Sequence, residues 1–191
     1  MANELPRNSF GHVVFNGEGN GSSSLKSMKC YIVTGSGKSE TKEERHNLIA
    51  RDVGILDGYS ADPYGHNCKC PPGNYYLGDP QPCALRKSDG SVSIQHDDDA
   101  GYGCYFTPLI DSSPFGGMAQ HGRGGIGIHG GGTAAPDPFA EWQGYYDTLG
   151  CIRISNFNNE RLFVPFVRTV RASSDNPDRA VLFSVFWGPR A

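Results

Sequence analysis

Along the chain, apolar and polar positions alternate in short runs rich in β-branched and aromatic residues, each bounded by glycine or proline. Alternation of this kind predicts strands, because successive side chains point to opposite faces of a sheet and branched side chains pack well on a pleated surface. The runs place strands near His12 to Phe15, Lys29 to Thr34, Asn74 to Leu77, Cys104 to Ile110, Gly125 to His129, Cys151 to Ile154, Phe166 to Val170 and Val181 to Trp187. Two stretches read as helical. Glu40 to Ile49 carries the charged run ETKEERHNLI, and Asn156 to Phe163 opens on an asparagine able to cap a short helix. Neither is long enough to organise a fold.

Composition narrows this picture. With 191 residues the chain is long enough for one domain with a real core, so residues 1–191 are expected to form a single unit. Its 26 glycines and 13 prolines, with 37% hydrophobic residues, fit short strands separated by turns and argue against a helical bundle. From Gly35 to Cys83 the chain is polar and irregular, and residues 35–69 read as a loop-rich insertion or lid. A net charge of -3 supplies no broad attraction for phosphate backbones or anionic lipid, which makes nucleic acid a poor partner. No run is apolar enough to span a membrane. Met1 to Gly21 lacks the basic start and apolar stretch of a secretory signal, so a protein made without a cleaved signal is expected.

Six cysteines, Cys30, Cys68, Cys70, Cys83, Cys104 and Cys151, are many for this length. If Cys151 is a catalytic thiol, at most two disulfides can form among the rest, and spacing does not say which pairs join. His66, Cys68, Cys70 and Cys83 offer four possible zinc ligands, but the C-x-C spacing is tighter than a C-x2-C knuckle and disulfides or thiols are favoured. Asp97, Asp98 and Asp99 lack the alternating oxygen ligands of a calcium loop and read as a solvated turn. No metal or other cofactor is expected.

Chemistry concentrates between Gly122 and Ser155, GRGGIGIHGGGTAAPDPFAEWQGYYDTLGCIRIS. A glycine-flanked histidine, His129, ends one apolar strand, and a glycine-preceded cysteine, Cys151, starts another. Neighbouring strands would bring the two together, letting the imidazole take the thiol proton and release a thiolate nucleophile. Gly150 suits a turn whose backbone N–H groups face a developing oxyanion. Arg153 lies two positions past Cys151 and projects to the same face, where it can bind a carboxylate or hold a loop carbonyl. Arg123 is the other formal cation of the segment, and His121 is a second possible base at its rim.

IHGGG followed by TLGCIRI resembles the catalytic motif of the YkuD-type L,D-transpeptidases, where an Ile-His-Gly strand end precedes Ser/Thr-x-Gly-Cys-Ile-Arg. CPPGNYYL, from Cys70 to Leu77, is similar to their upstream Pro-x-Gly-x-Tyr strand, and the resemblance runs over about Cys70 to Val170. GHVVFNG, KCYIVTGSGK and the approach GRGGIGIH are similar to the signal-less L,D-transpeptidase-like toxins delivered by type VI secretion. The resemblance implies a mainly β, sandwich- or barrel-like domain with short helices and long loops, and no cofactor. It implies a thiolate attack on the amide before the terminal D-alanine of a peptidoglycan stem tetrapeptide, with the acyl-enzyme resolved by an amine or by water. Cys151 would be the nucleophile, His129 the base, Gly130 its neighbour, Gly150 part of the oxyanion region, Thr148 the Ser/Thr position and Arg153 a support for substrate or loop. A toxin of this type would act in the periplasm of a Gram-negative cell, with a secretion-system component and an immunity protein as partners.

Two departures stand out. Leu149 occupies a position where many members have histidine, and Cys151 follows His129 by 22 positions, a longer interval than the family pattern. The added PDPFAEWQGYYD, with Phe139, Trp142, Tyr145 and Tyr146, reads either as a substrate-covering loop or as a surface loop pinned by aromatics. An NlpC-type endopeptidase or amidase would place its cysteine first and at a helix start. A catalytically idle wall-binding module would not need the Cys-His-Arg set.

Overall fold

A computed structural model of the chain describes residues 5–6, 8–17, 26–51, 69–95, 99–113, 116–131, 137–140, 148 and 150–187. The first alternating run forms β1 (Ser9–Asn16), which pairs antiparallel with β2 (Lys26–Thr34) over its whole length. β2 pairs antiparallel with β3 (Thr41–Arg51), with a register shift at Cys30/Tyr31. β3 corrects the helical reading of Glu40 to Ile49. Its charged first half stays exposed on both faces, with Lys29 and Glu44 paired across the hairpin at 3.0 Å, and only its second half alternates, turning Leu48 and Ala50 inward. Charge density in that stretch reflects a solvated hairpin, where neither side of the strand meets a core.

The remaining strands are β4 (Gly73–Leu77), β5 (Gln81–Pro82), the small hairpin β6 (Ala84–Arg86) and β7 (Val92–Ile94), β8 (Tyr105–Asp111), β9 (Gly127–His129), β10 (Ile152–Ile154) and β11 (Val181–Phe186). The order β4-β11-β1-β2-β3-β10-β9-β8, with β8 pairing back onto β4, closes eight strands into a barrel. Closure gives each of those strands two neighbours, although β3 meets β10 only through Ala50 and Arg51. Among the described residues only β1/β11 and β9/β10 run parallel. Val13, Phe15, Met28, Leu48, Tyr75, Ile128, Ile152 and Phe183 fill the interior at 3% exposure or less. Each such side chain contributes roughly 1.5–3 kcal/mol relative to leaving it in water.

A short helix, α1 (Gly117–Gln120), follows β8, and the Asp111 carboxylate accepts from the N–H groups of Met118 and Ala119 at its start. After β10 the chain runs through α2 (Asn156–Asn158), a π-helical turn (Asn159–Phe163) and α3 (Val164–Ala172). The widened turn falls directly ahead of Pro165, whose ring cannot sit above a regular i−4 carbonyl. α3 corrects the strand expected at Phe166 to Val170. The β-branched composition favoured a strand, but Phe163, Phe166, Val167 and Val170 recur at helical spacing and together enter the core. Among the described residues no helix is long and apolar enough to cross a membrane.

Candidate active site

Ile128 and Ile152 are register partners facing the barrel interior, so alternation turns their neighbours His129 and Arg153 to the outer face. His129 and Arg153 are themselves direct partners across the parallel β9/β10 pair. Cys151 stands immediately ahead of β10, two positions before Arg153. On the other side His129 pairs with Phe106 of β8. Three neighbouring strands thus assemble the face that carries the histidine, the arginine and the approach to the cysteine.

His129 is 2% exposed. The Tyr102 ring meets it edge-on at 4.9 Å between centroids, and the Phe106 ring stacks at 6.2 Å. Its Nδ1 lies 2.6 Å from the Gly130 carbonyl oxygen. A carbonyl only accepts, so Nδ1 carries the proton and Nε2 is left as the acceptor of the neutral ring. Burial pushes the His129 pKa down to about 3, the Arg153 charge adds to the shift, and the bond to Gly130 opposes it.

Cys151 is 8% exposed, and its thiol donates to the Gly125 carbonyl at 3.9 Å. Thr148 closes the turn that delivers it, its hydroxyl donating to the Cys151 carbonyl at 2.5 Å. Gly150, between them, has φ 101°, a left-handed conformation strained for any residue with a Cβ. Arg153 is buried at 3% exposure, a position where charge must be compensated by neighbours. His121 and Arg123 lie on the turn that ends α1, both donating their backbone N–H to Met118 O. The Arg123 charge reaches the Tyr75 hydroxyl, favouring its ionised form against burial that pushes its pKa up.

The residue that the pattern concealed is Asn156. Ser155, not Asn156, caps α2, its Oγ accepting from Asn158 N–H at 3.1 Å. The Asn156 amide, 3% exposed, is turned instead into the site. Its Oδ1 accepts from Gly131 N–H at 2.7 Å, and its Nδ2 donates to Pro138 O at 2.9 Å and Ala140 O at 2.7 Å. An unpaired buried polar group costs about 1–3 kcal/mol, so one side chain here satisfies three backbone groups of two segments. A Cβ on Gly130 would overlap Asn156 Oδ1, which explains glycine directly after the histidine. One turn on, Asn159 Nδ2 donates to Tyr105 O at 2.8 Å at the head of β8. The i, i+3 spacing of the two asparagines was the available signal, but such residues at a helix start read first as caps.

Phe139 lies under the Arg86 guanidinium at 4.4 Å, so the described part of the added loop, 137–140, is pinned both to β6 and to Asn156. Trp142, Tyr145, Tyr146 and Leu149 lie outside the described residues, as do His66, Cys68, Asp97 and Asp98. Cys30, Cys70, Cys83, Cys104 and Cys151 are buried and form no disulfide among the described residues. Burial, then Glu44, pushes the Cys30 thiol up to about 12, and burial, then Glu160, does the same to Cys104.

No protein-family model and no curated protein matches the sequence. The fold is similar to that of the helical cell shape determining protein Pgp2 from Campylobacter jejuni, with a TM-score of 0.55 and 16% identity. The likeness covers 96% of this chain and 50% of the Pgp2 chain, so this chain spans about half its length. A point mutant of Pgp2 is matched at a TM-score of 0.54, again with 16% identity, over 97% of this chain and 50% of the mutant's. Bdellovibrio bacteriovorus Bd1075 follows at a TM-score of 0.46 and 13% identity, over 93% of this chain and 48% of its own.

Proposed function

We propose that the chain is an L,D-transpeptidase-like cysteine enzyme acting on peptidoglycan stem tetrapeptides, with Cys151 as nucleophile and His129 as general base. The observation that carries this reading is the β9/β10 register. It puts His129 beside Arg153, two positions from Cys151, with Nε2 as the acceptor nitrogen. The fold shared with a helical cell shape determining protein supports a cell-wall setting.

In the resting site the imidazole is neutral, because burial and Arg153 both oppose its protonation. The same guanidinium favours a negative charge nearby, so proton transfer from Cys151 to Nε2 creates a thiolate that Arg153 and the new imidazolium both stabilise. The thiolate attacks the carbonyl of the diamino acid, and the tetrahedral oxyanion is received at the Gly150 turn. Collapse expels D-alanine, whose amine takes the proton back from His129. The thioester left on Cys151 then passes its acyl group to an amine, giving a cross-link or an exchanged D-amino acid, or to water, giving carboxypeptidase action. Arg153, Thr148, Gly130, Arg123 and His121 are proposed to line or support the substrate side.

Delivery to the periplasm of a target cell as a type VI toxin, with an immunity protein as partner, belongs to the same proposal and rests on the sequence resemblance. Mass spectrometry of purified tetrapeptide stems after incubation with the protein tests the chemistry. Loss or exchange of the terminal D-alanine is expected. Unchanged stems, or equal products from Cys151→Ala, would overturn it.

A further inference from the structure

We infer that Asn156 is a positioning residue for His129, locking the tautomer of the base through the Gly130–Gly131 peptide. Two hydrogen bonds already described meet on that one peptide group. Its carbonyl, Gly130 O, accepts from His129 Nδ1–H, and its amide, Gly131 N–H, donates to Asn156 Oδ1. In a planar trans peptide the C=O and N–H point in opposite directions, so fixing one fixes the other. Asn156 grips the N–H end and thereby aims the carbonyl at the histidine. The bonds also polarise one another, which strengthens each in a low-dielectric surrounding.

The need for such a grip follows from the local sequence. The peptide joins two glycines, and Gly131 has φ 79°, so no Cβ restrains its rotation. A flipped peptide would present Gly131 N–H to Nδ1. That arrangement favours the proton on Nε2, the tautomer that cannot accept from a thiol. Asn156 is itself held, because its Nδ2 bonds to Pro138 O and Ala140 O orient the amide so that Oδ1, not Nδ2, faces Gly131. The 137–140 segment, the peptide and the base are therefore connected through one side chain.

The role rests on the proposed reading of His129 as base, but the tautomer is measurable without turnover. The ¹⁵N shifts of His129, assigned by their absence in His129→Ala, report which ring nitrogen carries the proton. The wild type should show Nδ1–H. In folded Asn156→Ala the ring should move toward Nε2–H, with kcat on tetrapeptide stems falling about 10- to 100-fold, the scale of lost orienting partners, and KM changing less. Asn156→Asp keeps an oxygen for Gly131 and loses the donors to Pro138 and Ala140. It should retain Nδ1–H and show its effect mainly in KM. If Asn156→Ala fails to fold by circular dichroism, Asn156→Leu, of similar volume, takes its place with the same reading. An unchanged Nδ1–H tautomer in the folded Ala or Leu variant would overturn the inference, as would its loss in Asn156→Asp. A wild type that shows Nδ1–H but leaves stem peptides untouched would defeat the enzymatic reading alone.

Discussion

Two of the barrel's histidines are in outwardly similar trouble. His12 on β1 and His129 on β9 are both pushed toward the neutral form by burial and by a cation, Lys42 for the first and Arg153 for the second, to about 4 and about 3. His12 even has a hydroxyl partner, Ser184 Oγ, at 2.9 Å. The difference lies in what each ring can still do. Lys42 can only donate, and it approaches His12 Nδ1 at 3.5 Å, so Nε2–H must point at Ser184, whose hydroxyl donates in turn to Asn74 Oδ1 at 2.7 Å. Every step of that relay runs away from the ring, and both nitrogens are engaged. His129 donates from Nδ1 to a backbone carbonyl and keeps Nε2 as an acceptor. A depressed imidazole pKa thus marks burial in both regions, while the direction of the hydrogen bonds separates a structural relay from a candidate base.

The largest expected effect comes from the thiol proposed as nucleophile, set against the hydroxyl of the relay. Cys151→Ala should abolish release of D-alanine from tetrapeptide stems, whereas Ser184→Ala should leave it within a few-fold. The reverse result in the same mass-spectrometric assay would invert the comparison.

The two imidazoles come next. His129→Ala should cost about 10²- to 10⁴-fold in kcat, on the scale of general acid–base catalysis, and move alkylation of Cys151 to higher pH. His12→Ala should leave both within a few-fold and lower only stability. Cys30 and Cys104, with pKa values pushed up to about 12, should resist iodoacetamide at neutral pH in the folded protein, so label at Cys151, located by peptide mapping, is read apart from these two.

Arg153 sharpens the contrast with Lys42, because the first cation is buried and the second is exposed. Arg153→Ala should lower kcat/KM by about 10- to 100-fold, the range for a lost charge-assisted bond, and Arg153→Lys should recover it in part. A folded Arg153→Ala with unchanged kinetics would remove this residue from the site and turn attention to Arg123.

Stability against pH gives the smallest and most general effect. For each histidine the folded pKa lies below the ordinary 6.5, so below that pH the unfolded chain binds protons that the folded chain refuses. Stability is then fully present above about pH 6.5 and declines as pH falls toward about 4 for His12 and about 3 for His129. Urea midpoints should fall across that window, and His12→Gln should flatten the decline. A midpoint that rises on acidification would contradict the neutral assignment of both rings.

Most strands were legible because alternation and β-branching are local properties, and β1, β2, β4, β8 and β11 fall where those signals lie. β3 was not, since its exposed half has no core face to impose alternation, and α3 was not, since valine-rich composition masked a helical spacing of apolar residues. Asn156 was hidden for a different reason. Its partners Gly131, Pro138 and Ala140 are 16 to 25 positions away, and nothing local distinguishes an amide that reaches them from one that caps a helix.

What the residues alone determined is the chemistry on offer: a glycine-flanked histidine, a glycine-preceded cysteine and an arginine two positions on, in short apolar segments that read as strands. Such properties are written within a few residues of one another. The tertiary structure decided the rest, namely that β4 pairs with β8 to close the barrel, that His129 lies opposite Arg153, and that a helix-start asparagine accepts from the Gly131 N–H next to His129. These depend on register and hydrogen-bond direction between segments far apart in the chain. A one-residue slip of β10 against β9 would leave every local pattern intact and turn Ile152, not Arg153, toward His129.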